Sequence, residues 1–337
     1  MVYIVGTRHY WRKSWLQFFQ EREPIFVEQP EQVPSGETAY IWGVDYEPQR
    51  FKANVQVVHV EDGFIRSIGL GAALERPCSW VFDSQGIYFD ATRPSDLEQL
   101  LNTKQLSEKE YVRAIALKNQ LVQNNMSKYN TGTTASLSVP SNKLTILVPG
   151  QVETDASIKK GSPNITTNLA LLKRVRSEHP NAYIIYKPHP DVVAGLRQSE
   201  DIQQQAQYYC DAYITDINIS TVLEQVDEVH TMTSLCGFEG LLRDKSVTCY
   251  GQPFYSGWGL TTDTCANPRR TRKIDLATLI YCALVEYARY VDPGSGKQLS
   301  PEETIQLLAK RRTQPKRPSA QLKLVLRQLH ARLFGRK

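Results

Sequence analysis

A hydroxyl cluster, a carboxylate and glycine-spaced aromatics crowd the run Val229–Asp263, VHTMTSLCGFEGLLRDKSVTCYGQPFYSGWGLTTD. A buried strand–helix–strand unit needs only apolar residues at the right period, so this surplus of polar and flexible residues points to a bound ligand. DEVHTMT reads as a strand running into Ser234, and SLCGFEGLL as the helix that follows. Thr233, Ser234 and the first N–H groups of such a helix favour an anion, because those groups lack intrahelical partners and carry the positive end of the dipole. A phosphate is the expected guest. Glu239 lies five residues into the helix, where a carboxylate without partners would be costly. Gly237 and Gly240 each weaken the helix by nearly ~1 kcal/mol relative to alanine, and close approach of a ligand or of backbone is the expected reason. In GQPFYSGWGLT, Phe254, Tyr255 and Trp258 either line a base or sugar pocket or pack as a loop.

Further reactive groups end other apolar runs. YKPHP sets Lys187 and His189 after AYIIY, with Pro188 and Pro190 fixing the backbone. In isolation such a histidine is structural; beside an anion-binding terminus, a Lys187 cation and a His189 donor would hold a phosphate and the charge that develops as it departs. In LVPGQVETDASI, Gln151 and Asp155 follow an apolar strand and Gly150, so the Asp155 carboxylate can face a cleft. That loop carries a reactive carboxylate, an acidic pair Glu153–Asp155 on a divalent cation, or an Asp155 that caps a turn. Glu61 and Asp62 follow VQVVHV; adjacent residues of an extended chain point to opposite sides, so one of them aims at a given atom. They are a general base with its neighbour, or an exposed pair ending a strand. Arg66 offers a two-pronged guanidinium to a substrate carboxylate.

The elements that would position these groups alternate. VYIV, AYIWGV and VQVVHV are short β-type runs separated by segments that can be helical, which argues for a parallel sheet. After a polar stretch, Tyr129–Lys143, the pattern restarts with LTILVPG and continues to SVTCYG, giving a second α/β unit. The boundary is expected near Ser136, with an N-terminal unit over 1–136 and a second over 137–274. DLATLIYCALVEYARY (Asp275–Tyr290) reads as a helix bracing back to the first unit within 275–300. Two such units place their strand-to-helix loops around a shared cleft. No repeat of 20 to 50 residues is found.

With 337 residues, 41% hydrophobic and 22% charged, the chain is of globular composition and long enough for two domains. Six cysteines without a C-x-x-C pair fit reduced thiols rather than a zinc site or a disulfide frame. No run approaches the ~18 apolar residues of a membrane span, and the N-terminal residues lack signal-peptide order, so a cytoplasmic protein is expected. The net charge of +5 is unevenly placed: no acidic residue follows Glu303, while the basic residues of 301–337 leave the body net acidic. Leu322, Val325, Leu326, Leu329 and Leu333 recur at helical spacing there, beside Lys323, Arg327 and His330. This basic amphipathic tail either docks on an anionic leaflet, at about 1 kcal/mol per basic residue, or is solvated. Nucleic acid is disfavoured as a partner by the acidic body and the few aromatics in the tail.

Together with EDGFIRSIGLG and GIYFDATRPSDLE, the quoted motifs resemble, in order and wording, the bacterial capsule β-Kdo transferases of the KpsC type. The resemblance spans roughly Asp45 to Pro293 and is closer to the second of the two tandem modules common in that family. It implies a GT-B α/β architecture, two Rossmann-like domains with a cleft between them. It also implies a retaining, metal-independent transferase that takes Kdo from CMP-Kdo, with no cofactor, and adds it to a Kdo-bearing lyso-phosphatidylglycerol. By the same resemblance Asp155 is the nucleophile of a double displacement, Glu61 the acid/base, His189 and Lys187 the phosphate ligands, and Glu239 the acceptor for the ribose hydroxyls. Arg66 is then a candidate for the Kdo carboxylate, and Gln151, Thr233, Ser234, Gly237, Asp62, Tyr255 and Trp258 complete the expected substrate and nucleotide contacts. The inner face of the inner membrane is the implied location, with other capsule-assembly enzymes as further partners. The alternatives are another nucleotide-sugar enzyme on the same scaffold, such as an epimerase or phosphoglycerol-type transferase, or a non-catalytic capsule-assembly module.

Overall fold

The computed structural model describes residues 1–20, 23–197 and 202–314. In chain order the elements are β1 (Val2–Val5), α1 (His9–Phe18), β2 (Ile25–Val27), β3 (Thr38–Trp42), β4 (Gln56–Asp62), β5 (Ser79–Asp83), α2 (Asp96–Thr103) and α3 (Glu108–Gln123). Next come β6 (Thr145–Pro149), α4 (Ala156–Gly161), α5 (Asn168–Glu178), β7 (Tyr183–Lys187), α6 (Pro190–Val193), α7 (Gln203–Ala206), β8 (Ala212–Tyr213), α8 (Ile219–Glu224), β9 (Glu228–Thr231), α9 (Leu235–Leu241), β10 (Ser246–Cys249) and β11 (Thr262–Asp263). The chain closes with α10 (Leu276–Ile280), a π-helical segment Tyr281–Tyr287, β12 (Ala288–Val291), β13 (Gln298–Leu299) and α11 (Pro301–Arg312).

Two sheets of mostly parallel strands result, as expected of an α/β chain. The second, in the order β11-β10-β9-β6-β7-β8, is parallel throughout. Its central strand β6, TILVP, is buried along its whole length, which suits a strand covered on both faces. Strand order reverses between β6 and β9, and the crevice outside that point is where such sheets hold ligands.

The first sheet, in the order β13-β12-β5-β4-β3-β1-β2, is parallel over the strands from which a parallel sheet was expected, β1, β3 and β4, but not throughout. Its β1 to β4 are parallel, but β5 runs antiparallel to β4 and pairs antiparallel with β12. The late segment is therefore not one helix to Tyr290: it ends at Tyr287, and Ala288–Val291 closes the first sheet beside Ser79–Asp83. A π-helical segment and a strand are indistinguishable from helix in a short apolar run, so periodicity alone could not separate them. Strand β4 also continues through Glu61 and Asp62 instead of stopping before them.

One apolar cluster joins both sheets. It runs from Phe64 and Ile65 through Leu97 of α2 and Leu117 of α3 to Leu147, Val229, Phe238 and Leu279. Residues 301–312, read as the start of a tail, instead form α11, opened by a capping box between Ser300 and Glu303. Arg113 of α3 grips Glu302 of α11 with two hydrogen bonds, at 2.8 and 3.1 Å. The amphipathic stretch Leu322–Leu333 lies outside the described residues. All six cysteines are free and buried, and among the described residues no helix is long and apolar enough to cross a membrane.

Candidate active site

A cavity of about 540 Å³ opens where the carboxyl ends of the parallel strands of both sheets meet. The first sheet contributes Trp42 at the end of β3, Gly43 just after it, and Glu61 and Asp62 at the end of β4. The second contributes Gln151 and Asp155 after β6, Lys187 and His189 at β7, and Thr233 and Ser234 after β9. Glu239 of α9 closes the wall.

Asp155 both caps a turn and lines the cavity. Its Oδ1 caps α4 by accepting the Ser157 N–H at 3.0 Å, while the side chain, 40% exposed, faces the cavity with Oδ2 at 3.4 Å from Arg197. Glu153 does not join it: its Oε1 accepts the Asn168 N–H at 2.6 Å and holds the start of α5. An acidic pair for a cation is not assembled in this loop. Among the described residues one trio is spaced to hold a metal ion, His179, Glu228 and His230, and it lies away from the cavity.

His189 caps α6, its Nδ1 accepting the Asp191 N–H at 3.1 Å, which leaves the proton of a neutral ring on Nε2. Burial holds its pKa below the ordinary value; Asp191 opposes this, and Lys128 adds to it. The ring is thus a neutral donor at physiological pH. Lys187 donates to the Thr215 carbonyl at 3.1 Å, and burial lowers its pKa.

The hydroxyl cluster is knitted into its own loop. Gln151 bridges the crevice between β6 and β9: its Nε2 donates to Thr233 Oγ1 at 2.9 Å and its Oε1 accepts the Thr233 N–H at 3.0 Å. Its own backbone is clamped by the Asn168 side chain, which accepts from its N–H at 2.8 Å and donates to its carbonyl at 2.9 Å. Gln151 therefore positions the loop, its amide being spent on Thr233. Ser234 caps α9, accepting the Cys236 N–H at 3.2 Å, and among the described residues its hydroxyl proton has no acceptor.

Glu239 is buried, accepts the Lys128 N–H at 2.9 Å, and is pushed up in pKa by burial, with Arg243 opposing. Glu61 is pushed up to about 8 by burial and the neighbouring Asp62 charge, with Lys128 pulling the other way. Both Glu61 and Asp62 reach the cavity wall, but only Glu61 is uncommitted to a cation.

Four residues expected to contact substrate or nucleotide do not line the cavity. Arg66, 1% exposed, is absent from the wall; its Nε lies 2.5 Å from Asp62 Oδ2 and its Nη1 2.8 Å from Ser67 Oγ, so it is a buried structural cation. Tyr255 and Trp258 are core residues: the Tyr255 hydroxyl donates to the Ser234 carbonyl, and Trp258 Nε1 to the Phe254 carbonyl at 2.8 Å. Of the three aromatics only Phe254 reaches the wall. Gly237 touches no cavity either, since a Cβ there would lie 2.2 Å from the Tyr255 hydroxyl; Gly240 faces Val229 and Val247. Those glycines serve close packing of α9 on its sheet and aromatic loop.

Sequence reasoning missed Lys128, Tyr129, Tyr88, Asp191 and Arg197, all on the wall. Lys128 and Tyr129 sit in the irregular stretch after α3, where no periodicity marks them. The available signal was Asn130, a residue type prone to left-handed backbone, which here has φ 52° and ties Ser127 to Ser67 through its amide.

The family model described as capsule polysaccharide biosynthesis protein matches residues 48–131 and 104–291. The chain is similar to the capsule polysaccharide modification protein LipA of Neisseria meningitidis serogroup B, 46% identical over 263 residues, which cover 78% of this chain and 37% of that protein. It is also similar to the lipopolysaccharide-processing protein LpsZ of Rhizobium meliloti, 41% identical over 77% of this chain and 60% of that one. The chain thus spans about two-fifths to three-fifths of the length of these relatives. Among solved structures, the KpsC β-Kdo 2,7 transferase of Thermosulfurimonas dismutans superposes with a TM-score of 0.78 at 38% identity, over 93% of this chain and 99% of that one. The β-Kdo 2,4 transferase of the same KpsC superposes at 0.82 with 29% identity, over 92% and 98%.

Proposed function

This chain belongs to the capsule polysaccharide biosynthesis protein family, and from that premise we propose that it is a retaining β-Kdo glycosyltransferase using CMP-Kdo. Asp155, Glu61 and His189 come from three different strand ends and line one cavity; that juxtaposition carries the reading. The Asp155 carboxylate attacks the anomeric carbon and the bond to the CMP phosphate oxygen breaks, giving a Kdo–Asp155 ester and free CMP. His189 Nε2–H, the Ser234 hydroxyl and Lys187 receive the phosphate and the charge gathered on it. Glu61 then takes the proton of an acceptor hydroxyl, whose oxygen displaces Asp155 from the same carbon. Two inversions retain configuration, and the base contributes about 10²- to 10⁴-fold. Glu239 is assigned to the ribose hydroxyls.

The acceptor is taken to be a Kdo-bearing lyso-phosphatidylglycerol glycolipid at the cytoplasmic face of the inner membrane, where the basic tail would meet anionic lipid. The higher identity to the 2,7 than to the 2,4 transferase favours a 2,7 linkage. Incubation with CMP-Kdo and a synthetic Kdo-bearing acceptor, followed by NMR of the product, tests the assignment. A β-linked Kdo product is expected; CMP-Kdo recovered intact with acceptor present would refute it.

A further inference from the structure

The cavity holds an ammonium that neither the sequence nor the reaction above has used. Lys128 follows α3, half-buried in the wall, and its side chain has no hydrogen-bond or ion-pair partner among the described residues. Its Nζ lies over the Tyr129 ring, 5.5 Å from the ring centre. Its backbone, by contrast, is held at two points. The Lys128 N–H donates to Glu239 Oε1 at 2.9 Å, and its carbonyl accepts the Ser67 N–H at 3.2 Å. Asn130, two residues on, ties the same turn to the Ser67 carbonyl at 3.0 Å. The stem is anchored and the charged end is unspent.

The other cations on the wall have tasks of their own: Arg197 faces Asp155 and Asp191, and Lys187, which donates to Thr215, is assigned above to the phosphate. Burial disfavours the Lys128 charge, and the Asp62 and Glu61 carboxylates favour it. The ammonium shares the cavity wall with Glu61, His189 and Glu239, and its charge lowers the pKa of each.

Kdo carries a carboxylate on its anomeric carbon. An anionic Asp155 approaching that carbon is repelled by that carboxylate unless a cation neutralises it. We propose that Lys128 binds the sugar carboxylate of the donor, the role the sequence suggests for Arg66. This assignment rests on the Kdo-transferase reading and makes Lys128 the residue that distinguishes a 2-keto sugar acid from a neutral sugar.

The test compares wild type, Lys128→Met and Lys128→Arg by kcat/KM for CMP-Kdo, by inhibition with CMP alone, and with a CMP-Kdo analogue whose C1 carboxylate is reduced to hydroxymethyl. Losing a charge-assisted contact predicts that kcat/KM falls about 10- to 100-fold in Lys128→Met, with partial recovery in Lys128→Arg and unchanged CMP inhibition. Wild type should also prefer CMP-Kdo over the reduced analogue, and Lys128→Met should not. Equal kcat/KM in Lys128→Met, equal losses of CMP and CMP-Kdo binding, or undiminished discrimination against the analogue would overturn the assignment. Failure of the parent reading looks different: wild type itself would leave CMP-Kdo unconsumed.

Discussion

Glu61 Oε1 accepts the backbone N–H of Asp62 at 2.9 Å, while the Asp62 carboxylate turns to Arg66 at 2.5 Å. Two adjacent acids thus receive different tasks: one is neutralised by a buried guanidinium, the other is left facing the cavity with its pKa pushed up to about 8. A base must be deprotonated to act, so the active fraction rises as pH climbs through that value. The kcat/KM profile is expected to increase from pH 6 to an inflection near 8, and Glu61→Gln to remove both the activity and the inflection. A flat wild-type profile over this range would contradict the role given to Glu61.

Arg66 is expected to matter for folding, not for donor binding. Removing one partner of a buried pair strands the other charge, so Arg66→Met should cost about 3–5 kcal/mol. Arg66→Lys keeps the charge but loses the fork and should cost less. Denaturant unfolding measures the loss, and an unchanged KM for CMP-Kdo in Arg66→Lys separates this from a substrate contact.

Gly237→Ala would push a methyl to within 2.2 Å of the Tyr255 hydroxyl, in a core with no room to yield. Overpacking of this kind costs about 1–3 kcal/mol, read as a lowered midpoint of urea unfolding. An unchanged midpoint would show that the glycine is not there for packing.

In the proposed reaction His189, Ser234 and Lys187 meet the charge on the leaving phosphate, so activity is expected to survive exhaustive treatment with EDTA. Loss of turnover restored by a divalent ion would place a metal in the reaction.

The second sheet was legible because its strands are unbroken apolar runs such as TILVP, each followed by a polar loop whose chemistry shows in the sequence. Asp155, His189 and Ser234 were visible for that reason. What escaped depended on distant contacts. Nothing local to Arg66 says that Asp62 will claim it, and nothing in FYSGW says that Tyr255 folds under Ser234 while Phe254 turns outward. The Lys128 backbone is set by two remote partners, the Ser67 N–H and the Glu239 carboxylate. The return of Ala288–Val291 to the first sheet is equally non-local, pairing residues some two hundred positions apart.

The central claim is that Asp155 captures the sugar. Asp155→Asn keeps the side-chain cap on α4, since asparagine caps as well as aspartate, and removes the nucleophile. Intact-protein and peptide mass spectrometry after brief exposure to CMP-Kdo without acceptor measures the capture. The account predicts a mass increase of one Kdo on the peptide containing Asp155 in wild type, and neither adduct nor turnover in Asp155→Asn. An Asp155→Asn protein that transfers Kdo at the wild-type rate, or an adduct on a different residue, would contradict it.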